Sequence, residues 1–147
     1  KQIVGVANII HGVDSERLLQ EINKEAEKKQ VVQNILLQYF IAKEETKFGL
    51  DAAEIEVIIA QKEQYPHVQF LGLMGMATHT DDQEQIKAEF DQLITLKQSL
   101  KALYFKEDAA FSLASIGMSG DYAIALAAGA SHIRIGSMLF GARNYTS

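Results

Sequence analysis

The chain has 147 residues, 48% hydrophobic and 22% charged, with a net charge of −5 and no cysteine. That size and balance describe one soluble domain with a real core, exclude a disulfide framework and thiolate chemistry, and argue against the clustered basic face that nucleic acid requires. No apolar run approaches the roughly 20 residues that span a bilayer, and Lys1-Gln2-Ile3-Val4 lacks a signal-peptide pattern, so the expectation is a cytoplasmic protein without a membrane partner.

Residues Ile3 to Ile10 are almost continuously apolar, the pattern of a strand buried on both faces of a parallel sheet, and His11-Gly12-Val13 reads as the turn after it. Asp14 or Ser15 then caps a helix whose inward stripe is Leu18, Leu19, Ile22 and Ala26. Ile35 to Phe40 is a second strand, followed by a polar loop through Lys43-Glu44-Glu45-Thr46-Lys47-Phe48-Gly49. Asp51-x-x-Glu54 has capping-box spacing for a helix with Ile55, Ile58 and Ile59 inward, stopped near Pro66, the only proline.

Val68 to Met74 is the third strand. Thr80-x-x-Gln83, with Asp81 and Asp82 beside it, caps a longer helix whose stripe is Ile86, Phe90, Leu93, Leu100 and Tyr104. Phe111 to Ile116 is the fourth strand, the helix after Ser119 runs to Ala128 and is closed by Gly129, and His132 to Ile135 is the fifth. Five successive β-α units with right-handed crossovers mean either an open doubly wound α/β sheet or part of a closed barrel, and residues 1–147 are expected to form a single domain.

Two stretches near the end carry chemistry. Ser115-Ile116-Gly117-Met118-Ser119 and His132-Ile133-Arg134-Ile135-Gly136-Ser137 each run from a short strand into a Gly/Ser turn that opens a helix, where backbone N–H groups and a positive dipole end face an anion. Two such turns in consecutive units suggest one phosphate held between them, as at the loops after the last two strands of an eight-stranded barrel. Taken singly, Gly117 and Gly136 are also tight β-α turns and Ser119 an N-cap. His11 and His79, each expected just after a strand, are candidates for acid or base work, although structural histidines are the plainer reading and the four histidines lack metal-ligand spacing. Asp81, Asp82 and Asp121 read as helix-terminus charges.

With Leu71-Gly72-Leu73-Met74, Glu44-Glu45-Thr46-Lys47-x-Gly49, Gly117-Met118-Ser119-x-Asp121 and Arg134-Ile135-Gly136-Ser137-x-x-Phe140-Gly141-x-Arg143 in hand, the chain resembles the YggS-type pyridoxal phosphate homeostasis proteins. These are related to the N-terminal barrel of alanine racemase, and the resemblance runs nearly end to end. It implies a (β/α)8 TIM barrel of which this chain matches the last five strands and lacks the first three. The family's Schiff-base lysine lies on the first strand and has no counterpart before Ile3, so no catalytic residue is expected here. Either the chain is a fragment of a longer protein, or it is a truncated product that pairs its exposed sheet edges with something else.

The cofactor implied is pyridoxal 5'-phosphate (PLP). By the family pattern Ser119 supplies a hydroxyl and helix N-terminal N–H groups to its phosphate, and Gly136 and Ser137 supply a second cradle. Arg134 resembles the arginine beside the pyridine nitrogen, where a guanidinium disfavours ring protonation and restrains carbanion chemistry. Met74 and Met118 would be soft apolar walls, and Lys47 a lysine that binds phosphate or meets the aldehyde, although Lys43 to Lys47 also reads as a solvated charge run. Tyr39-Phe40 departs from the family's small apolar residue and asparagine, and the two rings are expected to narrow the barrel mouth.

The implied function is to hold or deliver PLP without turning over an amino acid, with recipient PLP enzymes and self-association as the partner expectations. The alternatives are a racemase-like PLP enzyme and a barrel fragment that binds no cofactor and acts as an interaction module.

Overall fold

The computed structural model describes residues 2–46 and 48–141. Among them, β1 (Ile9–Val13), α1 (Glu16–Lys28), β2 (Gln33–Gln38), α2 (Ala52–Ala60), β3 (Val68–Met74), α3 (Gln83–Tyr104), β4 (Leu113–Met118), α4 (Tyr122–Ala128), β5 (His132–Arg134) and α5 (Ser137–Phe140) alternate along the chain. The strands form one sheet in chain order, with each neighbouring pair parallel.

The sheet curls. In a flat sheet the first and fourth strands stand roughly 14 Å apart, three steps of the usual spacing. Here His11 Nδ1 on β1 lies 2.9 Å from Ser115 Oγ on β4, and the His11 and His132 rings meet edge to face at 5.8 Å. The side chains of the first, fourth and fifth strands therefore converge on one concave face, as strand tilt and stagger require in a barrel wall.

The other face carries the helices. Leu19 and Ile22 of α1, Ile55 and Ile59 of α2, and Phe90 and Leu93 of α3 share one buried cluster with Ile35, Leu37, Leu73 and Ile116 from the strands. Each such side chain contributes about 1.5–3 kcal/mol on burial, far more than the helix propensities of these segments. The capping box of α2 is complete: Asp51 Oδ1 accepts from Glu54 N and Glu54 Oε2 accepts from Asp51 N, both at 2.8 Å. Ser15 caps α1, its Oγ accepting from Leu18 N.

Several expectations are corrected. Residues 3–8 are not strand: Gly5 sits at φ +75°, Val6 N and Ala7 N both donate to Ile3 O, and the strand begins only at Ile9, running through the residues read as a turn. Apolar continuity cannot distinguish a turn packed by Val4 from a doubly buried strand, and Lys29 Nζ donating to Val4 O holds the turn in place. Leu18 is 37% exposed because Leu19, Ile22 and Ala26 already fill the buried stripe, and Leu18 is rotated about 100° from Leu19.

Asp82, not Thr80, caps α3: its Oδ1 accepts from Gln85 N, while Thr80 Oγ1 accepts from Asp82 N. Phe111 precedes β4 and stacks on Phe105 at 4.1 Å, so its apolarity reflects core packing outside the sheet. Tyr39 is buried, with its hydroxyl accepting from Gln92 Nε2 of α3 at 2.6 Å; it packs beneath the helix layer and does not narrow the mouth. Phe40 faces a separate hollow beside Asp14, Ser15 and Phe48.

Candidate functional site

The loops that leave β3, β4 and β5 enclose a cleft of about 460 Å³. Met118 to Asp121 form one wall, Arg134, Gly136 and Ser137 a second, and Ala77 to Asp81 with Ile86 the third. The two Gly/Ser junctions meet each other: Ser119 Oγ accepts from Gly136 N and from Met138 N, both at 3.3 Å. A Cβ built on Gly120 or Gly136 would have no atom within 4 Å, so backbone at both positions is open to an incoming group.

Gly117 has a different reason to be glycine. Its φ is +91°, and a Cβ there would lie 2.5 Å from Ala125 Cβ, so it is what lets β4 close onto α4. Ser119 is not the N-cap of that helix. Asp121 takes the position, with its carboxylate accepting from Met118 N at 2.6 Å and making no side-chain bond to the helix.

Arg134 is held from β4 and from Gly75, the residue after β3. Nη1 donates to Ser115 O at 2.7 Å and to Ser115 Oγ at 2.8 Å, and Nη2 donates to Gly75 O at 3.0 Å. Burial pushes its pKa down, opposed by the Asp121 carboxylate, but a guanidinium stays charged across any working pH. Among the described residues these bonds engage Nη1 and Nη2, and none engages Nε. His11 adjoins this unit through Ser115, and its pKa is lowered by burial and then by the charges of His132 and Arg134.

The third wall is anchored by a residue that periodicity hid. Glu89 of α3 is buried; its Oε2 accepts from Thr78 N at 2.7 Å, and its Oε1 accepts from Thr78 Oγ1 at 2.7 Å and Gln85 Nε2 at 3.0 Å. Thr78 Oγ1 in turn accepts from Lys43 N, so one carboxylate ties together the loops after β2 and β3. The signal was a charged residue on an apolar stripe, three positions after Ile86 and four before Leu93.

A family profile described as "Alanine racemase, N-terminal domain" matches residues 2–144. The chain belongs to the alanine racemase N-terminal domain family. Within the family, the chain is 33% identical over 145 residues to a pyridoxal phosphate homeostasis protein of Aquifex aeolicus, covering 99% of this chain and 62% of that one. It is 38% identical over 133 residues to a pyridoxal phosphate homeostasis protein of Helicobacter pylori, covering 90% and 56%. The chain thus spans about three-fifths of the length of these relatives.

Among solved structures, PipY of Synechococcus elongatus without PLP superposes with a TM-score of 0.86 at 30% identity, covering 95% of this chain and 64% of PipY. PipY with PLP bound gives 0.82 at 29% identity, with the same coverage. A protein of Bifidobacterium adolescentis gives 0.84 at 26%, covering 95% and 55%. The half-barrel of parallel strands is therefore the family's fold, and the open doubly wound sheet is set aside.

On this family scaffold Ser119, Arg134, Gly136, Ser137 and Met118 all line one cleft. Met74 is not among the lining residues: it is buried on β3 in register with Ser115. His79 lines the third wall, its backbone N donating to Glu44 Oε2, whereas His11 lies within β1 and not after it. Lys47 and Arg143 lie outside the described residues. No described helix is long and apolar enough to cross a membrane, and no described group of acidic or histidine side chains has the geometry to hold a metal ion.

Proposed function

We propose that this chain is the cofactor-holding part of a PLP homeostasis protein, with residues 1–147 forming one domain that corresponds to the last five strands of an eight-stranded barrel. The observation that carries the reading is the junction at Ser119. Its hydroxyl draws two backbone N–H groups of the neighbouring loop toward one point, and open glycine backbone lies on both sides. A phosphate oxygen is a stronger acceptor than a hydroxyl for the same N–H groups, so the cradle fits the group.

PLP supplies an aldehyde and an electron-withdrawing ring. In this cleft Ser119, Gly136 and Ser137 would hold the phosphate, Met118 would flank the ring, and Arg134 would be the partner of the ring nitrogen. Because Arg134 keeps its charge and is tied at three points, it offers that nitrogen a hydrogen-bond donor and no proton, which keeps the ring a weak electron sink. These residues bind and quieten the cofactor. Lys47 is proposed as a lysine that the aldehyde or phosphate meets. Recipient PLP enzymes are the proposed partners, and the cytoplasm the proposed location.

The test is a spectroscopic PLP titration of the protein and of the double variant Ser119→Ala, Ser137→Ala. The double variant is expected to bind at least tenfold more weakly, because each charge-assisted hydrogen bond contributes about 1.5–3 kcal/mol. Equal affinity would remove the phosphate from this cleft. Incubation with single L-amino acids separates holder from enzyme, since sustained PLP-dependent racemisation would contradict the holding role.

A further inference from the structure

Three strands meet at one hydroxyl, and the proton count there is constrained. Ser115 Oγ is fully buried on β4, 2.8 Å from Arg134 Nη1 and 2.9 Å from His11 Nδ1. A guanidinium has donors only, so Ser115 Oγ must accept from Arg134. The hydroxyl hydrogen stays free to donate, and His11 Nδ1 at 2.9 Å can accept it if that nitrogen carries no proton. Ser115 then links the two side chains, accepting from Arg134 Nη1 and, where His11 Nδ1 carries no proton, donating to it.

We infer that His11 is a positioning residue for Arg134, held neutral with its proton on Nε2, and that by accepting the Ser115 hydroxyl hydrogen it keeps a Ser115 lone pair aimed at the guanidinium. This rests on the reading of Arg134 as the ring-nitrogen partner. Protonating His11 puts a donor where the acceptor was, leaves the buried Ser115 hydroxyl hydrogen without that acceptor, and adds a second cation to the same concave face. Among the described residues, the titratable and charged groups facing His11 are His132 and Arg134, both on β5, and each opposes a positive imidazole. His132 has a separate tie, its Nδ1 lying 3.0 Å from Ser131 Oγ. The lowered His11 pKa agrees with an imidazole that stays neutral around pH 7.

The experiment separates acceptor from imidazole. Asparagine presents an acceptor oxygen close to where Nδ1 stands and cannot be protonated; leucine fills similar space and accepts nothing. PLP affinity of the intact protein, His11→Asn and His11→Leu is measured from about pH 8 down to about pH 5.5, the range in which an imidazole charges. At the upper end His11→Asn is expected to bind within about twofold of the parent, and His11→Leu about tenfold more weakly, the order expected when a buried hydroxyl hydrogen loses its acceptor. Toward the acid end the parent loses affinity faster than His11→Asn, both sharing the cofactor's own titration.

Nitrogen NMR of the cofactor-free protein reads the tautomer directly, with an unprotonated Nδ1 expected at neutral pH. A protonated Nδ1, or a His11→Leu protein with the parent's affinity and pH profile, would overturn the inference. If the parent fails to bind PLP, the proposed function falls while the tautomer measurement still decides the role of His11. If His11→Leu does not fold, the asparagine pH profile and the NMR spectrum decide it.

Discussion

At the scale of single residues, the third wall of the cleft is anchored by a side chain whose hydrogen bonds all go to the protein itself. That side chain is Glu89. Glu89→Leu is expected to destabilise the fold by about 1–3 kcal/mol in urea unfolding, since Thr78 N and Oγ1 lose their partner, with Glu89→Gln in between because one acceptor survives. Gly117→Ala should cost about 1–3 kcal/mol, because the substitution meets both a left-handed backbone and the Ala125 methyl. His11 gives stability a pH dependence. Its folded pKa lies below the ordinary 6.5, so the unfolded chain takes up the proton first and stability falls as pH drops below about 6.5, remaining level above it. Urea midpoints across that range, compared with His11→Asn, read the effect, and the variant should show a shallower acid slope.

Elements are the scale most legible in the sequence. The capping box at Asp51, the bounds of β3 and the Gly129 stop of α4 follow from local chemistry, because a cap or a left-handed glycine is satisfied within a few residues. Asp51→Ala should accordingly cost about 1 kcal/mol by thermal unfolding, a local loss that leaves the cleft intact. The misread elements share one cause. Val4 and Phe111 are apolar because they fill buried space outside the sheet, while Ile3, Val6 and Leu18 lie exposed, and hydrophobic pattern alone assigns all five to the nearest regular element. Glu89 and Tyr39 show the converse: a carboxylate on a buried stripe and a tyrosine at a strand end find partners from other elements, Thr78 and Gln92, that no local window contains.

For the whole molecule, the ordered parallel sheet leaves β1 and β5 each with a strand edge outside the described pairings, and Met138, Leu139 and Phe140 of α5 stand exposed beyond β5. Open edges flanked by apolar side chains associate. The 147-residue chain by itself is expected to gain sedimentation mass with concentration, and Phe140→Glu to reduce that gain; a concentration-independent monomer mass would contradict this.

Sequence by itself determined the alternation of strand and helix, the family and the two Gly/Ser junctions, because each is written in short-range patterns of capping, turn and motif residues. Only the tertiary structure decided that the junctions share one point at Ser119, that Arg134 is pinned by Ser115 and Gly75, and that His11 belongs to the same unit across three strand spacings. The reason is the curl of the sheet. It brings residues separated by 104 positions to hydrogen-bonding distance, and that curvature is set by the packing of all five strands together rather than by any one of them.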